Sequence, residues 1–435
     1  MDDSKERFCV TCAERRSMAD RRRRRRKKRA RTAGCLCALA VLAGTGAFAA
    51  YALPWAYNEF GGMLKNVIGR AAEETVNAVA EQGADFPELT VAVEEVEGDF
   101  YYQQLSEVDQ TVYRELLQGV QGMQECILLH AGRDDQPAKV YEYLLYDRPE
   151  LFWCDGSSRM TVYDSYTEFY PGYTCTAQVR EQRQAEIDAA AEECISGTDA
   201  GASEYERIKY VFEYIVNTVD YDENAPDNQN IYSALVGKSS VCAGYSRTAQ
   251  YLLGKLGIEA IYVVGSVEGQ GAHAWNIVSC DGKYYQMDVT FADPVFYSAE
   301  SGEKLPENVI NYDFLCCTDQ EIAADHVQSS EVPYPVCDRD DLNYYRLNGM
   351  YYDSFDAQIL LSAMNSSIYA GEEMFVCKFS DAGVYGQARE VLINDLFPKA
   401  AQNLASAYGL SSVKYTYVED EEHYKVTVFW NYEGN

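Results

Sequence analysis

Residues 273–294 read HAWNIVSCDGKYYQMDVTFADP, and Asp281-Gly282 in their middle separates two runs with strand-like patterning. Asp-Gly in this setting favours a two-residue type I′ turn, in which both central residues take positive φ. Such a turn pairs Cys280 with Lys283 and, counted outward, sets Asp288 opposite Trp275. His273 then lies two residues further along the same face, since strand side chains alternate. Diagonal neighbours of this kind are roughly 7–8 Å apart, within reach of an imidazole and a carboxylate. A four-residue loop keeps the parity and a three-residue loop breaks it. The hairpin therefore predicts a His273–Asp288 couple.

Upstream, residues 239–246 read SSVCAGYS and lead into RTAQYLLGKLG, a run with helical spacing. Cys242 thus stands where a turn of small residues enters a helix. The positive end of the helix dipole favours a thiolate there, and a nearby imidazolium favours it further. A carboxylate behind the imidazole fixes its tautomer and orientation. Cys242, His273 and Asp288 are therefore the candidate catalytic residues. Ala243 and Gly244 are expected to leave room for a substrate acyl group beside the sulfur, and Tyr245 and Trp275 are the other expected substrate contacts. The backbone N–H of Cys242 is a candidate oxyanion donor. Taken singly, each residue has a plainer reading: a small buried hydrophobe, a satisfied strand histidine, a turn cap. Their joint placement favours chemistry.

The chain has four histidines, so a His-only metal site is hard to assemble. His130 and His326 read as structural, the latter in a polar loop, and His423 as a solvated residue in an acidic strand. No EF-hand-type loop is present; no metal or cofactor is expected. Cys9 and Cys12 form one CxxC without a second pair nearby, so solvent-facing thiols are favoured over a zinc site shared between chains.

Two blocks, SVCAGYSRTAQYLLGKLGIEAIYVVG (240–265) and GAHAWNIVSCDGKYYQMDVTFADP (271–294), resemble the transglutaminase-like superfamily. That family carries a GxCxGY-type cysteine turn, a HAWN-type histidine strand and a D-x-T-[WF]-x-D-P aspartate strand. Ser240-Val241 stands where Gly-Val is more usual and Phe291 where Trp is common, neither at the three candidate catalytic positions. The resemblance covers about residues 203–295. It implies an α+β, papain-like core in which the helix bearing Cys242 packs on an antiparallel sheet bearing His273 and Asp288. It also implies attack of a thiolate on a protein or peptide amide and a thioester intermediate. An incoming amine would give transamidation and water would give hydrolysis. Cell-wall peptide is among the substrates such an exported bacterial surface protein would meet. The alternative is a non-catalytic binding module of the cell envelope that keeps the fold.

Charge and hydropathy place the rest. The net charge is −31 over 435 residues, yet the first 31 residues hold 14 Lys/Arg against 5 Asp/Glu. The remainder, with 23 of the 37 basic and 63 of the 68 acidic residues, repels phosphate backbones, so no nucleic-acid partner is expected. Residues 33–53 carry no charge and are long enough to span a bilayer as a helix. The basic flank predicts a single-pass membrane anchor with a cytoplasmic N-terminus and an extracellular body. A cleaved signal peptide, with AFAA at 47–50, competes with the anchor; a lipoprotein reading of Cys35 fits less well.

The expected organisation is a basic tail (1–32), an anchor (33–53), a stalk (54–96), an N-terminal lobe (97–178), a catalytic domain (179–335) and a C-terminal α+β module (336–435). In the lobe, Val108, Val112, Leu116, Leu117 and Val120 recur at helical spacing. Ser203 to Glu206 form a capping-box pattern ahead of Ile208, Val211, Phe212, Ile215 and Val219. Asn348-Gly349 reads as a hairpin turn, and a helix broken or kinked near Pro398 precedes a closing hairpin. Some of the ten cysteines after residue 53 are candidates for disulfides.

Overall fold

The computed structural model describes residues 85–432, apart from 268, 270, 294–308 and 412. The tail, the anchor and most of the stalk lie outside the described residues. Among these no helix is long and apolar enough to cross a membrane. The chain divides into two compact units at Gly349/Met350.

In the first unit, Ser106 caps α1 (Glu107–Gln121) by accepting a hydrogen bond from the Asp109 N–H. Val112, Leu116, Leu117 and Val120 are buried as their spacing requires, but Val108 is 53% exposed. It sits in the first helical turn, ahead of the stretch that packs. Strand β1 (Ile127–Leu129), helix α2 (Pro137–Asp147), β2 (Cys154–Val162) and β3 (Thr167–Tyr173) complete the lobe. Its antiparallel sheet has the order β1-β3-β2. Helix α3 (Ala177–Ser196) leads to α4 (Glu204–Thr218), which opens on the expected reciprocal cap between Ser203 and Glu206. Two-residue strands β4 (Asp220–Tyr221) and β5 (Ser239–Ser240) pair in parallel around the short α5 (Ile231–Leu235). From β5 the chain enters α6 (Cys242–Lys255) directly.

The main sheet has the order β8-β7-β6-β9, all antiparallel, built from β6 (Ala260–Val267), β7 (Gly271–Cys280), β8 (Lys283–Met287) and β9 (His326–Gln328). Between β7 and β8 the register runs from Asn276↔Met287 to Cys280↔Lys283. Asp281 (φ 50) and Gly282 (φ 73) both take positive φ, the two-residue turn the sequence implies. Both faces of the sheet are covered. Val278, Cys280 and Met287 share a core with Ala249, Leu252 and Leu253 of α6. Ile261, Val263, Trp275 and Ile277 share another with Tyr101 and Tyr143 of the lobe. The Tyr101 hydroxyl donates to the Tyr262 carbonyl at 2.6 Å, tying lobe to sheet. Lobe and sheet therefore belong to one folded body, where the sequence suggested two segments.

Gly265 allows the edge of this sheet to form. A Cβ there would stand 2.6 Å from the Trp275 ring and collide with the Val327 carbonyl of β9. Gly265→Ala is expected to cost about 1–3 kcal/mol, because the backbone of β9 cannot yield as a side chain can. Denaturant unfolding measures this, and an unchanged midpoint would contradict the packing described.

The second unit is described over 350–432. Strands β10 (Tyr351–Tyr352), β11 (Met374–Phe379), β12 (Tyr415–Asp420) and β13 (Lys425–Trp430) form a sheet of order β10-β11-β13-β12. Helices α8 (Ala357–Ala370), α9 (Ala382–Val391) and α10 (Phe397–Tyr408) bury Leu360, Phe397 and Leu404 with Phe375 and Val428 of the sheet. Pro398 does not break the helix. A π-turn at Leu392–Leu396 joins α9 to α10, and Pro398 stands in the first turn of α10, where its missing N–H costs nothing. Asn348-Gly349 is not a hairpin. Asn348 closes a single helical turn (Tyr344–Leu347) and Gly349 takes φ 69, while β10 runs parallel to β11.

Candidate active site

The start of α6 is held by its own approach. Ser240 Oγ donates to the Asn228 carbonyl at 2.7 Å and pairs with Ser233 Oγ at 2.6 Å. The Val241 N–H donates to the same Asn228 carbonyl at 3.3 Å. Val241 is the N-cap residue, and no side chain caps this helix. A first turn without a side-chain cap leaves N–H groups for an incoming oxygen, which suits the Cys242 N–H as an oxyanion donor. Ser246, one turn on, donates to the Ala274 carbonyl at 2.8 Å and pins the helix beside His273.

His273 and Asp288 meet as the hairpin parity requires. The two side chains share a hydrogen bond of 2.6 Å between Nε2 and Oδ2, both buried. Asp288 also caps α7 (Val289–Ala292), its Oδ1 accepting from Thr290 N–H at 2.7 Å and Phe291 N–H at 3.2 Å. The cap fixes the carboxylate, so one residue serves both of its readings. With Nε2 engaged, Nδ1 is the ring nitrogen left for Cys242, whose thiol hydrogen-bonds the imidazole. The structure thus brings the three candidate catalytic side chains together, the sulfur partly exposed and the other two enclosed.

Electrostatics follow from the burial. Desolvation pulls the His273 pKa down, but the charges of Asp288 and Cys242 and hydrogen bonds to both outweigh it and carry it up to about 10. Desolvation raises Asp288, and the His273 charge and hydrogen bond, with a second hydrogen bond from His326, overcome it and hold the carboxyl well below the usual range. For His273 the folded value exceeds the unfolded 6.5, so its contribution to stability is complete below pH 6.5 and lost as pH rises through about 10. For Asp288 the shift is downward, so its contribution is complete above 3.8 and lost as pH falls below that value.

The expected substrate contacts are not open to substrate. Tyr245 is fully buried, its hydroxyl donating to the Val219 carbonyl at 2.6 Å and to Asp293 Oδ2 at 3.0 Å. Trp275 is fully buried, its indole N–H donating to Gln286 Oε1 at 2.7 Å. Both belong to the supporting core. Gly244 opens no acyl pocket either, since a Cβ there would strike Ser240 Oγ and come within 3.0 Å of the Asn228 carbonyl. Its small size lets the helix seat on β5. Ala243 is 7% exposed.

Other groups come to the site that the sequence did not single out. Tyr262 is buried, and its phenol is pushed up to about 12 by burial, with Arg247 opposing and the Cys242 charge adding to the rise. The Arg247 guanidinium lies 5.1 Å from that ring and donates to the Gln229 carbonyl at 2.9 Å. His326 is no loop residue. It opens β9, is buried, and its Nε2 lies 2.9 Å from Asp288 Oδ2. Two histidines and an aspartate so close together could suggest a metal. The distances of 2.6 and 2.9 Å are shorter than the ~3.3 Å two ligands keep on a tetrahedral zinc, and they fit hydrogen bonds. Elsewhere, His130 pairs with Glu115, while His423 is buried and hydrogen-bonded to Asp420 at 3.1 Å instead of solvated. All ten described cysteines are free thiols.

Comparison with known proteins places this arrangement. Residues 189–289 match the Transglutaminase-like superfamily. Among solved structures the chain is similar to a TGase, at 18% identity and TM-score 0.24, covering 31% of this chain and 44% of that one. It is also similar to a candidate cysteine protease from Cytophaga hutchinsonii, at 14% identity and TM-score 0.22, covering 31% of this chain and 57% of that one. The chain thus spans roughly half the length of these two structures. No curated protein matches.

Proposed function

We propose that this chain, whose residues 189–289 form a transglutaminase-like core, is a cysteine-dependent acyl-transfer enzyme acting on protein or peptide amides. One observation carries the reading. A buried carboxylate holds one side of the His273 ring at 2.6 Å, while the sulfur at an uncapped helix start holds the other. In this mechanism Cys242 Sγ, as thiolate, adds to the amide carbonyl carbon, and the new oxyanion takes the Cys242 N–H. His273 passes its Nδ1 proton to the departing amine, the C–N bond breaks, and a thioester remains. An incoming amine or water then gives a proton back to Nδ1 as it attacks, and the thiolate leaves.

The basic block and apolar span of the N-terminal region support placement of this body outside the cytoplasm, tethered to the membrane. Peptides of the cell wall are then within its reach.

A screen of glutaminyl and cell-wall peptides with a labelled primary amine tests the reaction. The expected result is label incorporation or amide hydrolysis by the wild type and neither by Cys242→Ala. Binding of peptidoglycan unaffected by Cys242→Ala, with no amide turned over by the wild type, would instead establish a binding module.

A further inference from the structure

Asp288 Oδ2 serves two imidazoles. His273 Nε2 reaches it at 2.6 Å and His326 Nε2 at 2.9 Å, from β7 and β9 respectively. The other nitrogen of His326, Nδ1, lies 2.5 Å from Asp325 Oδ1. Both nitrogens of His326 therefore face carboxylate oxygens. An ionised carboxylate only accepts hydrogen bonds, so each of those nitrogens must carry a proton, and His326 is an imidazolium. Its side chain is fully buried, with the rings of Trp275, Phe291 and Phe314 at centroid distances of 5.1, 4.7 and 5.6 Å. Among the described residues, the titratable groups facing it are Asp288, Asp325 and the His273 ring, 5.3 Å away. Burial pulls the His326 pKa down, and the hydrogen bonds and charges of the two carboxylates more than reverse it.

We propose that His326 is a positioning residue: as an imidazolium clamped between Asp288 and Asp325, it fixes Asp288 Oδ2 and takes up part of its charge, so that His273 surrenders its proton more readily. A carboxylate serving His273 alone would hold that proton harder in this enclosed space. The positive charge of His326 offsets the field of Asp288 at His273. The charge state of His326 rests on geometry alone, whereas its effect on turnover rests on the acyl-transfer reading.

Two measurements test the proposal. In the wild type, ¹⁵N spectra of the four histidines, assigned by single variants, should show both nitrogens of His326 protonated at neutral pH. The variant His326→Gln keeps one N–H for Asp288 and removes the charge. It should move the alkaline limb of kcat/KM upward by about one pH unit and lower kcat several-fold at unchanged KM. If no amide is turned over, the pH dependence of Cys242 alkylation reads the same shift without the enzymatic reading. A role in packing alone would lower stability and leave the limb in place. An unmoved limb, or one unprotonated nitrogen on His326 at neutral pH, overturns the proposal. If His326→Gln does not fold, the wild-type spectra decide.

Discussion

Iodoacetamide near neutral pH is expected to modify Cys242 ahead of the other nine described cysteines, and Cys242→Ala to reduce turnover by a factor on the order of 10⁴ to 10⁶. Seven of the other thiols are buried; burial comes first in pushing Cys154, Cys194 and Cys280 up to about 12. Cys126 and Cys175 share the partial exposure of Cys242. Neither has a histidine bonded to it or stands at the start of a helix among the described residues. Selectivity should therefore come from the imidazole and the helix end, with exposure secondary. The same variant should change stability by no more than about 1 kcal/mol, since the side chain is small and no side-chain contact of the fold depends on it. Peptide mapping after partial alkylation, with denaturant unfolding alongside, checks both statements. Even labelling of all thiols, or turnover kept by the alanine variant, would refute the nucleophile.

The second large effect belongs to Asp288. Asp288→Asn should lower turnover by roughly 10³ to 10⁴, because an amide can hold the imidazole in the wrong tautomer and carries no charge to stabilise the imidazolium. It should also destabilise the fold by about 3–5 kcal/mol, the usual cost of removing one partner from a buried pair. That difference has a pH signature. His273 contributes fully below pH 6.5 and loses its proton as pH passes about 10, so wild type and variant should converge over that interval. Unfolding at pH about 6 and about 10.5 measures the gap at each end. An equal gap at both would show that Asp288 and His273 do not form an ion pair.

The centre of the site was legible because it is local. Asp281-Gly282 sets the register of one hairpin, and that register alone carries Asp288 to His273. The cap at Ser203 and the stripe on α4 were equally local and were read correctly. His326 was not legible for the opposite reason. Its partner lies 38 residues earlier, and it arrives on a three-residue edge strand whose pairing with β6 follows no periodicity in the sequence. Tyr245 and Trp275 were read as lining an open cleft because each lies near a reactive residue along the chain. Neighbours on a helix or strand point in other directions, and both turned inward. Val108 and Asn348-Gly349 show the related limit, since a helical spacing or a turn dipeptide does not say what packs against it.

The union of lobe and sheet bears on how this architecture can be divided. The hydrophobic cluster around α6 draws residues from Val91 to Cys316, and the one beneath Trp275 depends on Tyr101 and Tyr143. The stretch of family likeness, 189–289, therefore marks out a reaction and not an autonomous folding unit. Excised by itself it would present bare apolar sheet to water, so transplanting the chemistry into another protein requires carrying the amino-terminal lobe with it.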